Sequence, residues 1–393
     1  MSSQTNLMGS YGEWVDSITA DGPSELSFRH ESRTDRESWR ATARELVSEC
    51  LSRPETGGVP ETVIEDQYSY DGLRMEELSW RLPYGNPTKA VLLKPEDTSE
   101  KLPGILALHD HSGDKYFSRR KIVKTRDTAH SLMKDHRERL YGGDAWANEI
   151  AKRGYVVLVH DGFTFGNRRI RPEKVPEDVR DGVSGRVTEE SDSIETEEPD
   201  SIEAYNRWAG DYESVIAKSL FCASTTWPGV MLAEDQRALD VLCDRNDVDE
   251  TRIGCGGLSG GGLRTVYLGG MDPRIRCAVC AGMMTTWRDF MLNKAHHHTW
   301  MVYTPLLARS LEYPEIFTLR VPRAALVLNN RNDHLFTMEE MERADDIIRA
   351  VYDKAGVSDR YQCSYYPGSH KFDREMQTEA FEWFDRMLAA VNP

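Results

Sequence analysis

Short apolar runs alternate with amphipathic stretches along most of this chain. Tyr361–Tyr366 reads as the last strand, while Pro103–Leu108 (PGILAL), Gly154–His160 (GYVVLVH), Ile253–Cys255, Ile275–Gly282 and Arg323–Leu328 (RAALVL) are too short for helices and too continuously apolar for one-sided strands. They predict strands buried on both faces. Between them, helical spacing recurs near Ala145–Arg153 and over Tyr205–Ala223, Gly229–Cys243, Thr337–Ala355 and Thr378–Leu388. Strand and helix in alternation imply a mostly parallel sheet, covered on both faces and joined by right-handed crossovers. Upstream, Leu73–Leu82 and Ala90–Leu93 flank a Tyr84-Gly85-Asn86-Pro87 turn, which predicts a hairpin or meander at the sheet edge. Arg36–Leu51 carries Trp39, Ala43, Leu46, Val47 and Leu51 at helical spacing, behind a polar stretch over residues 1–30. No internal repeat is present.

One segment breaks the pattern. Glu189–Glu203 (EESDSIETEEPDSIE) has no basic residue and little to bury, and is expected to be a solvated or mobile excursion. The net charge of −16 argues against nucleic acid and anionic membrane surfaces as partners. Arginine outnumbers lysine 36 to 13, and this with the acid excess suggests a salt-adapted host. No apolar run is long enough to span a bilayer, and the first residues lack a basic start followed by an apolar core. A cytoplasmic protein is therefore expected. The 7 cysteines form no disulfide framework; Cys277 and Cys280 make a C-x-x-C, but their flanks read as a buried strand.

The candidate chemistry centres on Arg252–Leu268, RIGCGGLSGGGLRTVYL. A strand pattern ends at Cys255, glycines follow, and a helix pattern resumes at Leu263. Within it Gly257-Leu258-Ser259-Gly260-Gly261 fits G-x-S-x-G, the nucleophile elbow. The serine at such a turn is strained, and its neighbours at minus two and plus two must lack a Cβ so that strand and helix can approach. The turn lifts the Ser259 hydroxyl above the sheet and aims free helix N–H groups at what binds there.

A serine hydroxyl needs a base, and the base needs an orienting carboxylate. After an elbow the expected chain order is Ser, then Asp or Glu, then His. Asp333 follows the strand Arg323–Leu328, and His370 follows the strand Tyr361–Tyr366, so both stand where open α/β sheets place their chemistry. His334 is a weaker base candidate, and Asp272 and Asp289 are weaker acids. The backbone N–H groups of Gly260 and His111 are the candidate oxyanion donors. His109, Asp110, Trp287 and His298 are candidate pocket residues. His109 and His111 could instead ligate a metal with Asp110, His160 or His296-His297-His298, but a serine hydrolase needs none, so no metal or cofactor is expected.

With these residues placed, the sequence resembles the α/β-hydrolase superfamily, and most of all dienelactone-hydrolase-like proteins and acetyl xylan esterase and cephalosporin-C deacetylase-like esterases. The resemblance runs from about Leu73 to the C-terminus. It rests on PGILALHDHSG, on DQRALDVLCDRNDVDETRIG before the elbow, on GLSGG with Ser259, on LNNRND with Asp333 and on PGSHKF with His370. Two departures stand out: His109-Asp110 replaces the usual His-Gly of the oxyanion loop, and Ser259 replaces the cysteine of dienelactone hydrolases proper. Stretches near 115–145, 163–207 and 287–319 look like insertions. The implied organisation is an N-terminal helical extension (1–67) and a catalytic α/β-hydrolase domain (68–393) with a mostly parallel central sheet and cap-like insertions. The implied activity is serine esterase chemistry through a Ser–His–Asp triad and an acyl-enzyme, on small acyl esters of a polar alcohol or sugar. Homo-oligomers are common in this fold, though no interface is legible. The rivals are a prolyl-oligopeptidase-like peptidase, for which no propeller is evident, a hydrolase of lactone or carbon–carbon bonds, and a binding protein whose chemistry has lapsed.

Overall fold

The computed structural model describes residues 5–18, 22–98, 100–180, 183 and 198–389. Among them, nine strands form one sheet: β1 (Thr62–Tyr70), β2 (Leu73–Trp80), β3 (Thr88–Pro95), β4 (Leu102–Leu108), β5 (Val156–His160), β6 (Val248–Leu258), β7 (Ile275–Ala281), β8 (Ala324–Asn330) and β9 (Tyr361–Tyr366). Their order is β1-β2-β3-β5-β4-β6-β7-β8-β9. The pairs from β1 to β5 are antiparallel, and every pair from β5 to β9 is parallel. The strand period shows in the cores. Ile105 and Ala107 of β4 join Val157 and Val159 of β5 on one face of the sheet; Leu106, Leu108, Val156 and Leu158 join the core of the other face. Burial on both sides is why these strands read as unbroken apolar runs.

The helices are α1 (Gly12–Ile18), α2 (Arg36–Leu51), α3 (Ser131–Tyr141), α4 (Trp146–Lys152), α5 (Pro199–Asp211), α6 (Glu213–Cys222), α7 (Trp227–Cys243), α8 (Gly260–Met271), α9 (Tyr313–Thr318), α10 (Met338–Lys354) and α11 (Arg374–Met387). No helix among the described residues is long and apolar enough to cross a membrane. The Asp35 carboxylate caps α2 by accepting from the Glu37 and Ser38 N–H groups. The helix buries Trp39, Ala43, Val47 and Leu51 in the same core as α7 and the sheet. At its end, the Leu51 carbonyl accepts the Thr226 hydroxyl at 2.8 Å, and a Cβ on Gly229 would lie 2.1 Å from that oxygen.

Three sequence expectations change. β1 begins at Thr62 and so runs across the expected boundary at 67/68; it is an edge strand, mostly exposed, with no apolar alternation to mark it. Tyr205–Ala223 is two helices, α5 and α6, meeting at Tyr212. Of the acidic stretch, residues 189–197 lie outside the described residues, while Pro199–Glu203 is the first turn and a half of α5, with Ile202 buried. The segments near 115–145 and 163–207 share a small core of their own, built on Tyr116, Phe117, Met133, Ile202, Tyr205 and Trp208.

Candidate active site

At the end of β6 the chain turns sharply into α8. Ser259 sits at the turn with φ 57° and ψ −117°, a backbone state that costs a non-glycine residue about 1–3 kcal/mol. Two bonds hold it there: the Ser259 N–H donates to the Ala281 carbonyl at 2.9 Å, and the Ser259 carbonyl accepts the Leu263 N–H at 2.8 Å. The flanking glycines are required by contact. A Cβ on either Gly257 or Gly261 would lie 2.2 Å from the Leu108 carbonyl oxygen, inside any tolerable separation.

Asp333 follows β8 and His370 follows β9, two strands that are neighbours in the sheet. Their loops meet. The His370 Nδ1–H donates to Asp333 Oδ2 at 2.5 Å, and Asp333 Oδ1 accepts the Leu335 N–H at 3.0 Å. Asp333 is buried, and His370 is half-buried. The imidazole lies against Gly282, where a Cβ would come within 2.9 Å of His370 Cε1. Gly282 adjoins Ala281, the residue whose carbonyl takes the Ser259 N–H, so the ring stands beside the elbow. His370 Nε2 is buried and has no hydrogen-bond partner among the described residues.

On the other side of the elbow lies the loop after β4. The backbones of Gly260 and His111 are in contact: a Cβ on Gly260 would lie 2.9 Å from the His111 nitrogen. Beneath this loop is a cluster of buried polar groups. The Asp110 side chain is fully buried rather than turned to the surface, and Oδ1 accepts from the Tyr141 hydroxyl at 2.5 Å and from His136 Nε2 at 3.1 Å. Burial opposes its charge, but His136 and Lys121 outweigh that and hold its carboxyl well below the usual range. His109 donates from Nδ1 to the Asp110 carbonyl at 2.9 Å, which leaves Nε2 to accept from Ser118 at 2.9 Å. Burial, then Arg264 and Lys121, push its pKa well down, so it is a neutral structural imidazole.

His111 is held the same way. Its Nδ1 accepts the Gly113 N–H at 2.9 Å, and its Nε2 donates to Glu213 at 2.7 Å. Glu213 also binds Lys115 at 2.7 Å and the Thr299 hydroxyl at 2.6 Å. Burial opposes the Glu213 charge, and the donors His111 and Lys115 outweigh it and hold the carboxyl down. Arg264, one turn into α8, pairs with Asp235 of α7 at 2.6 Å and reaches His160 at 2.9 Å. A small cavity beside the elbow is lined by the pocket candidates His109 and Asp110 together with His111, Phe165, Gly260 and Arg264. Lys115, Lys121, Glu213 and Arg264 were not among the sequence candidates. The signal for the first two was the basic segment Lys115–Arg139 in a chain of net charge −16.

The remaining candidates are engaged in contacts of their own. Trp287 is buried against Phe290 and Tyr313, and its indole N–H donates to the Leu311 carbonyl at 3.0 Å; it packs the 287–319 segment. His298 bonds the Leu335 carbonyl at 3.0 Å, two residues past Asp333, and burial pushes its pKa down to about 4. His334 is exposed and meets His297 edge to face. Asp289 binds the Thr285 and Thr337 hydroxyls, and Asp272 binds Arg274 and Gln236. Among the described residues no cluster of three or more His, Cys, Asp or Glu is arranged to hold a metal ion. Cys277 and Cys280 are buried in the cores on opposite faces of the sheet.

A mostly parallel sheet with helices on both faces, a strained serine after a central strand, and an acid and a histidine on the loops after the last two strands define the α/β-hydrolase fold. No family model matches the chain. The chain is 24% identical over 302 residues to "Putative hydrolase YtaP" of Bacillus subtilis (strain 168), covering 76% of this chain and 83% of that one. Among solved structures it is similar to a "putative acetyl xylan esterase" from Bacteroides fragilis NCTC 9343, with TM-score 0.66 at 17% identity over 92% of this chain and 83% of the other. It is also similar to a glucuronoyl esterase from Solibacter usitatus, with TM-score 0.61 at 14% identity over 94% and 98%.

Proposed function

We propose that the protein is a serine carboxylic-ester hydrolase. One observation carries the reading: His370 is tied to Asp333 through Nδ1 and keeps a buried, unpartnered Nε2 beside the Ser259 elbow. A base needs one nitrogen oriented by an acid and the other free for the hydroxyl proton. Ser259 attacks the acyl carbon, and His370 takes the proton and then delivers it to the leaving alcohol. Asp333 fixes the tautomer and stabilises the imidazolium. The N–H groups of Gly260 and His111 receive the oxyanion. Water then repeats the sequence on the acyl-enzyme.

The substrate we infer is a small acyl ester, acetyl-like, of a polar alcohol or sugar. Similarity in fold to an acetyl xylan esterase and to glucuronoyl esterases supports an ester of a carbohydrate. Fluorophosphonate labelling with mass mapping, followed by aryl and sugar esters of increasing acyl length, tests the proposal. A single adduct on Ser259 and a preference for short acyl groups are expected. Ester turnover without any adduct on Ser259 would end it.

A further inference from the structure

We propose that Lys121 is a positioning residue for the oxyanion site, acting through the backbone of the His109–Gly113 loop. The inference rests on the esterase reading and deepens it. Lys121 is fully buried. Its Nζ donates to the Asp110 carbonyl at 2.9 Å and to the His111 carbonyl at 2.9 Å, and lies 3.5 Å from the Asp110 carboxylate. Two of its N–H groups are thus spent on carbonyls of one loop, and its charge faces the carboxylate of the same loop.

The geometry follows from peptide planarity. In a trans peptide the C=O and the N–H of the next residue point to opposite sides. Drawing the Asp110 carbonyl down onto the ammonium therefore turns the His111 N–H the other way, and that nitrogen lies beside Gly260, 2.9 Å from where a Cβ on that glycine would stand. His109 Nδ1 grips the same carbonyl, so the plane is held by two donors. A cation on the carbonyl also polarises the amide and strengthens its N–H as a donor where negative charge develops. Lys121 is itself held from behind, since Arg137 of α3 donates to the Lys121 carbonyl at 3.2 Å and to the Val123 carbonyl at 2.7 Å. Simple anchoring would not call for a charge here, because an apolar side chain fills such a space without the desolvation a buried ammonium carries.

The test compares wild type with Lys121→Met and with the double variant Lys121→Met/Asp110→Asn, in which no carboxylate is left facing an uncharged side chain. The readouts are kcat and KM on one ester, affinity for a boronic acid that forms a tetrahedral adduct on the serine, and thermal melting. The expected result is a folded protein whose kcat falls about 10–100-fold with KM within about twofold, and whose boronate affinity falls by the same factor; loss of one direct oxyanion donor sets the upper scale at roughly 10²–10³. Folded variants with kcat and boronate affinity near wild type would overturn the inference, as would a loss confined to KM. Failure of both variants to fold would assign Lys121 to structure alone and overturn it too. A wild-type protein without ester turnover or boronate binding would instead remove the esterase reading, so the two failures are told apart.

Discussion

Two walls meet at Ser259, and they are built from opposite materials. The elbow wall is glycine and aliphatic carbon: its shape follows from two positions where a Cβ would strike the Leu108 carbonyl, and from strands packed on both faces. The wall under the His109–Gly113 loop is charge: Asp110, Lys121, His136, Lys115, Glu213 and Arg264 are all buried and paired. A steric wall tolerates no added atom but needs no partner. An electrostatic wall tolerates changes of volume, yet every group in it depends on another. The same function can thus rest on two kinds of precision that fail in different ways.

The largest expected effect separates chemistry from both walls. Ser259→Ala should lower ester turnover by a factor of about 10⁴ or more while melting stays level or rises, because the nucleophile goes and the strained turn remains. Equal turnover in that variant, measured with a chromogenic ester, would leave the elbow without a catalytic part. Next, Gly261→Ala should destabilise by about 4 kcal/mol or prevent folding, since the struck atoms are backbone and cannot give way. A urea midpoint close to wild type would show the steric wall to be softer than described. On the electrostatic wall, Glu213→Gln should destabilise by about 3 kcal/mol by leaving Lys115 buried without its counter-charge. Adding Lys115→Met should recover most of that loss, a rescue the glycine positions do not offer.

The smallest effect is in the pH dependence. The folded pKa of His298 lies near 4, below its ordinary value of 6.5, and burial lowers His109 and His111 as well. Above about 6.5 these rings are neutral in both folded and unfolded chains. As the pH falls from there toward 4, the unfolded chain takes up protons that the folded one refuses, so stability is lost through that window. A drop of about 2 kcal/mol from His298 alone is expected, read as a falling melting temperature. His298→Gln, which keeps a donor for Leu335, should flatten that part of the curve.

The same contrast explains what could be read in advance. His370 follows β9, a half-buried edge strand, and was legible from its order after Ser259 and Asp333. Those two each sit next to a buried strand, and a strand of four to eight apolar residues announces itself locally. β1 did not, because an exposed edge strand needs no alternation. The wall of charges was legible only as a basic segment, since its pairs are far apart along the chain: Lys121 with Asp110, Lys115 with Glu213 and Arg264 with Asp235 have no period to reveal them. Asp110 was expected near the pocket because of its loop, and it lines the small cavity beside Gly260; the hydrogen bonds that turn its carboxylate inward onto Tyr141 and His136 had no signal in the sequence.

The seat of α7 on the end of α2 bears on where this polypeptide can be shortened. The Leu51 carbonyl takes the Thr226 hydroxyl, and Trp39, Ala43 and Val47 fill the floor beneath the sheet. A version begun at Tyr68 would open that floor to water and also cut through an edge strand. It would be recovered from the pellet rather than the supernatant: α2 is a keel, and a vessel is not made lighter by sawing it off.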